Sequence, residues 1–243
     1  MLEPVGDQST DGMRSYWDER ARKNAAWYVD TSLSYDSPDM DKFWETGHEV
    51  ARIAFRDAPA RPERTELAIE IGAGLGRICK ALADDFDRVI GVDISAEMVE
   101  QARALVPDEN VSFIIGSGAG LKGIDDASAD LVTSFTVFQH IPSVAVIEDY
   151  MREAGRVLRP GGIFAFQWNS TPGSLRWTLR REALAVVHRL GFAKERFERD
   201  APQFLGSRVP VKRVTRVLES AGMDVQATDG VPGLYGWAYA RRR

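Results

Sequence analysis

Cysteine is nearly missing from this chain: Cys79 is the only one in 243 residues. That excludes an intramolecular disulfide and any cysteine-built zinc cluster, and it suits a reducing cytoplasm. Histidine is scarce as well. His48, His140 and His188 lie far apart without ligand-type spacing, so no metal site is expected. Basic charge is in short supply, with 31 Lys and Arg against 36 Asp and Glu and a formal charge of -5. This balance weighs against a nucleic-acid backbone as the main partner. No uncharged apolar run approaches the roughly 20 residues that span a bilayer. The first fifteen residues hold Glu3, Asp7 and Asp11 and no apolar stretch, so the expectation is a cytoplasmic, non-exported chain with no membrane partner. Repeats and low-complexity blocks are missing too.

What is present falls into three textures. From Leu67 to about Trp168, short β-branched runs alternate with helical patterns, each joined by Gly, Asp, Ser or Pro. That rhythm reads as βαβ units on a parallel sheet. The candidate strands are 67–71, 88–92, 111–115, 130–135 and 163–168, and their continuous apolar character predicts helices on both faces. Ser95 is placed to cap a helix through Leu105, and Ser143 another whose Ile147, Tyr150, Met151, Ala154, Val157 and Leu158 form one buried stripe. Pro160-Gly161-Gly162 is expected to stop that helix and turn the chain into the next strand. Residues 1–66 concentrate Tyr16, Trp17, Trp27, Tyr28, Phe43 and Trp44 among charges and read as helices over the sheet's edge, forming a cap or lid. Residues 170–206 read as an insertion with a basic amphipathic helix near 175–190. A helix at 210–221 and strands near 223–228 and 234–240 would close the chain as an αββ unit.

The strongest local signal is Glu70-Ile71-Gly72-Ala73-Gly74-Leu75-Gly76-Arg77, between a candidate strand and a helix. A dinucleotide fingerprint needs G-x-G-x-x-G, and a Walker loop needs Gly-Lys-Ser or Gly-Lys-Thr; neither is here. What remains lets backbone press against a ligand, with an acidic residue two places before the first glycine. That arrangement suits a ligand carrying an amine. Asp93 ends the next candidate strand, about 20 residues beyond Gly72, where a carboxylate can accept from both hydroxyls of a ribose.

In these residues the chain resembles the class I S-adenosylmethionine-dependent methyltransferases. The resemblance rests on EIGAGLGR at 70–77, VIGVDIS at 89–95 followed by Met98, ADLVTSF at 129–135 and RVLRPGG at 156–162. It implies a Rossmann-like, doubly wound α/β fold whose mostly parallel seven-stranded sheet ends in an antiparallel hairpin, in a methyltransferase domain at 67–243 with an insertion at about 170–206, while the N-terminal helical lid at 1–66 matches the family only loosely. It also implies S-adenosylmethionine as cofactor. Gly72, Gly74 and Gly76 would wrap the methionine portion, Glu70 would face its ammonium, Asp93 would hold the ribose, and Ile94 and Met98 would flank adenine. The loop after the third strand reads Gly116-Ser117-Gly118 where the family usually offers an acid to adenine, so Ser117 or a backbone group would serve instead. Phe135 would lie beside the cofactor amine.

Methyl transfer from a sulfonium is an in-line displacement, so the protein must position the acceptor, exclude water and, for a hydroxyl, remove a proton. His140, in the segment Thr133 to Pro142 after the fourth strand, lies on the switch-point side of the sheet. Imidazole titrates near neutrality, which makes His140 the candidate base. The plainer reading is that it braces its loop. Gln139 is a candidate for orienting the acceptor, Glu45 and His48 are alternatives if the N-terminal segment folds inward, and Tyr16, Trp17 and Trp168 could stack on a planar or sugar acceptor. The expected reaction is O-methylation of a small molecule, a saccharide or secondary metabolite. N-methylation of a small amine and a non-catalytic cofactor-binding module are the alternatives. The missing Asn-Pro-Pro-Tyr or Asp-Pro-Pro-Tyr sequence weighs against amino-directed DNA methylation. Acceptor and oligomeric state are left open.

Overall fold

The structure is a computed structural model that describes residues 10–172 and 206–243. The expected basic helix at 175–190, with Trp177 and His188, lies outside the described residues.

The apolar runs form strands β1 (Leu67–Ile71), β2 (Arg88–Asp93), β3 (Val111–Ile115), β4 (Ala129–Ser134) and β5 (Leu158–Trp168), and the end of the chain adds β6 (Met223–Asp229) and β7 (Gly236–Arg242). They make one seven-stranded sheet in the order β3-β2-β1-β4-β5-β7-β6. The first five strands pair in parallel, while β7 runs antiparallel to both β5 and β6. Every residue of β1 is buried, with Ile69 and Ile71 in one core and Ala68 in the other. Helices on both faces explain why this strand is apolar throughout instead of alternating.

The helices are α1 (Thr10–Val29), α2 (Met40–Ala51) running into a π-helical turn (Arg52–Arg56), α3 (Arg77–Leu82), α4 (Ala96–Leu105), α5 (Val144–Val157) and α6 (Val211–Ser220). Two caps are those expected: Ser95 Oγ accepts from the Met98 amide, and Ser143 Oγ from the Val146 amide. Asp39 does the same for α2 through the Lys42 amide. Each satisfies an amide that the first helical turn leaves without a backbone acceptor.

Two expectations need correction. The first is the start of β5, which begins at Leu158 and not at Ile163. Leu158 already pairs with Ala129, and Ile163 pairs with Leu131, so five steps along β5 match two along β4. Pro160-Gly161-Gly162 is therefore an irregularity inside a strand, with Gly161 at φ +85° absorbing the surplus. Arg159 is pinned there by Glu66 at 2.8 Å and by the buried Asp130 at 3.1 Å, and Asp130 in turn accepts from the Glu66 and Leu67 amides.

The second correction concerns the N-terminal helices, which do not both lie over the sheet's edge. α2 packs on α3 across the face that carries the core of Phe55, Phe86 and Ala165. Gly47 permits the approach: a Cβ there would stand 2.4 Å from the Arg77 carbonyl oxygen. α1 instead crosses the carboxyl ends of the strands, packing on α4. It is broken at Asn24, whose φ of -168° and ψ of 79° leave the helical region. Asn24 Oδ1 accepts from the Trp27 amide and so caps the second half of α1.

Candidate active site

β1 and β4 are neighbours although the chain leaves β1 toward β2 and returns to β4 on the other side, and at such a reversal the carboxyl ends leave a crevice. A cavity of about 910 Å³, its mouth included, occupies it. The glycine loop and the end of β2 form its floor, the segment Phe135 to Ile141 one wall, and α1 its roof through Met13, Trp17, Tyr28 and Val29.

The floor is built from backbone. Gly72, Gly74 and Gly76 all take positive φ, at +75°, +53° and +82°, a conformation that costs other residues strain. The Gly72 and Ala73 amides donate to the Val92 carbonyl, tying the loop to β2. The Gly74 amide donates to one Asp93 carboxylate oxygen at 2.8 Å and the Ser95 amide to the other at 2.9 Å. Asp93 is thereby aimed into the cavity. Burial pushes its carboxyl up, and the two amides oppose that shift.

Glu70 lies 2% exposed on the cavity floor. Burial pushes its carboxyl up to about 8, against the lowering influence of the Cys79 thiol, which donates to it at 3.0 Å, and of the Arg77 charge. Cys79 itself is buried and pushed up, so it remains a thiol. A buried carboxyl bonded to a thiol is matched by a cation that enters the cavity. Arg77 does not neutralise it fully, since its guanidinium pairs with Asp30 at 3.1 Å, donates to Thr46 Oγ1 at 2.6 Å, and lies over the Phe43 and Phe135 rings.

The structure brings Glu70, Gly72, Gly74, Asp93, Ile94, Met98, Phe135, His140 and Trp17 onto this one cavity. Trp17 and His140 meet edge to face, with ring centroids 5.8 Å apart. Other expected residues stand elsewhere. Gly76 caps α3 beneath the loop, packed toward Phe113. Ser117 is exposed, and its neighbour Gly118 lines the cavity instead. The Arg20 guanidinium lies over the Tyr16 ring at 4.1 Å, beside the roof that Trp17 forms. Glu45 is exposed on the outer side of α2, and His48 faces Asp84 at 3.8 Å on the surface. Gln139 is buried but does not line the cavity. Trp168 is a core residue, 1% exposed, whose Nε1 donates to the Val209 carbonyl. α2 faces α3, and β5 ends under a core, so neither can present these side chains to the crevice. Residues not foreseen are Arg77, Met13, Tyr28 and Tyr150. Arg77 directly follows Gly76, and an arginine so near a ligand loop was the available signal.

The contents of the site fit S-adenosylmethionine: a buried carboxyl for an ammonium, a pinned carboxylate for ribose hydroxyls, and apolar Ile94 and Met98 for a purine. Among the described residues no cluster suited to a metal ion occurs, and no helix is long and apolar enough to cross a membrane.

Residues 69–166 match the family described as "Methyltransferase domain". The chain is 32% identical over 195 residues to a Mycolicibacterium smegmatis protein named as a probable S-adenosylmethionine-dependent methyltransferase, covering 79% of this chain and 63% of that one. It is 32% identical over 167 residues to a demethylmenaquinone methyltransferase of Beutenbergia cavernae, covering 65% of this chain and 63% of the relative. The chain thus spans under two thirds of the length of both. Among solved structures, the magnesium protoporphyrin IX methyltransferase of Synechocystis with bound S-adenosylhomocysteine superposes with a TM-score of 0.60 at 17% identity, over 97% of this chain and all of that one. The fold, the cavity chemistry and these likenesses agree: the chain carries a class I S-adenosylmethionine-dependent methyltransferase domain.

Proposed function

We propose that the protein transfers the methyl group of S-adenosylmethionine to a hydroxyl of a small-molecule acceptor, with His140 as general base and α1 as the cap of the site. The observation that carries this reading is the shared cavity, in which His140 lines the same space as Glu70 and Asp93. When bound, the cofactor supplies a methyl group on a sulfonium, whose departure as a neutral thioether makes displacement favourable. Glu70 holds the ammonium, and Asp93 holds the ribose through charge-assisted bonds. Positioning in this way does much of the catalytic work for an in-line displacement. His140 projects from a short turn anchored by the fully buried Phe138, which keeps its imidazole in place to take the acceptor proton. Trp17, against the His140 ring, excludes water.

The acidic net charge and the roofed cavity support a small acceptor over a nucleic acid. The test is His140→Ala assayed by single turnover with acceptors drawn from a labelled methyl-transfer screen. The rate should fall on the order of 10²- to 10⁴-fold while S-adenosylmethionine affinity holds. A full-rate variant removes the base and favours an amine acceptor, because a neutral amine attacks before it loses its proton. A variant that also loses the cofactor shows that His140 braces the pocket.

A further inference from the structure

Tyr150 stands two turns into α5, on the buried stripe it shares with Ile147, Met151 and Ala154. Glu148, the other buried polar residue of this helix, is engaged by Arg152 and Arg213. The Tyr150 ring stacks on Phe138 with centroids 6.0 Å apart and planes 30° from parallel. Since Phe138 is fully buried, the phenol is held in place. Tyr150 is only 5% exposed, yet it lines the cavity together with Asp93, Ile94 and Gly118. Buried phenols nearly always find a hydrogen-bond partner. Among the described residues this one has none. Burial and the nearby Asp93 charge both push the phenol up, so it stays protonated and offers a donor.

The purine end of the cavity supplies little else of that kind. Met13, Ile94 and Ile141 join Tyr150 in one apolar cluster. The loop after β3 turns Ser117 to solvent and presents Gly118 to the cavity. A base seated against these residues would find apolar faces on both sides and a single hydroxyl at its rim. Resting on the cofactor assignment above, we propose that the Tyr150 hydroxyl donates a hydrogen bond to a ring nitrogen of the cofactor's adenine, so that a phenol on α5 recognises the base. The donor selects for a purine with an acceptor nitrogen at that position. It disfavours one that carries a hydrogen there, because two donors would then face each other.

The test compares wild type with Tyr150→Phe by calorimetry, using S-adenosylhomocysteine and its 1-deaza, 3-deaza and 7-deaza analogues. Phe keeps the stack on Phe138 and removes only the hydroxyl. The variant should bind S-adenosylhomocysteine about tenfold more weakly than wild type, the scale of one lost hydrogen bond. One deaza analogue should bind wild type about tenfold more weakly, and wild type and variant should bind that analogue equally, as a coupled pair requires. Equal affinity of both proteins for S-adenosylhomocysteine overturns the proposal, as do penalties that simply add for every analogue. Should the variant fail to fold, the wild-type series alone decides, and undiminished affinity for all three analogues overturns it. Wild type that binds no S-adenosylhomocysteine overturns the cofactor assignment itself, an outcome distinct from the others.

Discussion

Asp93 does two things with one carboxylate. It accepts from the Gly74 and Ser95 amides, fixing the glycine loop and the start of α4, and it keeps lone pairs for a ribose. Asp93→Ala should therefore weaken S-adenosylmethionine by roughly 1.5–3 kcal/mol, the scale for charge-assisted hydrogen bonds. It should also lower the melting temperature, because two amides lose their acceptor; calorimetry and thermal unfolding check the two effects. Glu70 makes a prediction of different form. Burial pushes its carboxyl up to about 8, against an ordinary value of 4.5. Between these values the folded chain holds a proton that the unfolded chain has released, so this contribution to stability is full below 4.5 and is lost as pH rises toward 8. Cation binding runs the other way, since it needs the carboxylate and expels the proton. Cofactor affinity should rise about tenfold per pH unit between roughly pH 6 and 7.5, and Glu70→Gln should flatten that slope. A slope that survives in the Gln variant would place the linked proton on another group.

The two N-terminal helices differ in how they are held. α2 is fastened by apolar burial through Phe43, Val50 and Ala51 and by the close contact at Gly47. α1 buries Ala25 and Ala26 after its break, whereas the half before Asn24 buries only Met13 and Ala21 among its apolar residues and is fastened largely by polar contacts. Asp18 accepts from Ser95 Oγ at 2.6 Å and from the Glu97 amide, Arg14 donates to the Gly116 carbonyl, and Gln101 donates to the Ala21 carbonyl. Contacts of that kind exchange with water at little net cost, so α1 is the element suited to open. Hydrogen exchange across residues 12–29 should slow when S-adenosylhomocysteine is added, while residues 40–51 keep the same protection. Equal protection of α1 with and without ligand would make it fixed scaffold. The sequence signalled the aromatic content of this region but not the difference between its helices. A cap such as Asp39 or a small residue such as Gly47 acquires meaning only from what packs against it.

At the scale of the whole molecule, the sheet and its helices were legible because the parallel strands carry apolar runs and two of the helices between them, α4 and α5, carry their own serine caps. Five strands in parallel with an antiparallel end followed from that pattern and from the resemblance together. That Glu70, Gly72, Gly74 and Asp93 meet at one cavity was legible because they are close in sequence or end adjacent strands. Trp168, Glu45 and His48 were misplaced because residue type shows what a side chain can do, not which way its element faces. Tyr150 was hidden for the complementary reason: in the helical stripe it counts as one more core residue, and only the fold reveals that it lines the cavity. The break in α1 at Asn24 bears on the turnover cycle. The half before it lies over the end of the cavity near Gly116 and Gly118, while the half after it is moored to the glycine loop through Val29 and the Asp30 to Arg77 ion pair. Because the helical ladder is already interrupted between them, the first half can swing away without unwinding the second. Spent cofactor would then leave base first, with the mooring at its amino-acid end kept from one turnover to the next.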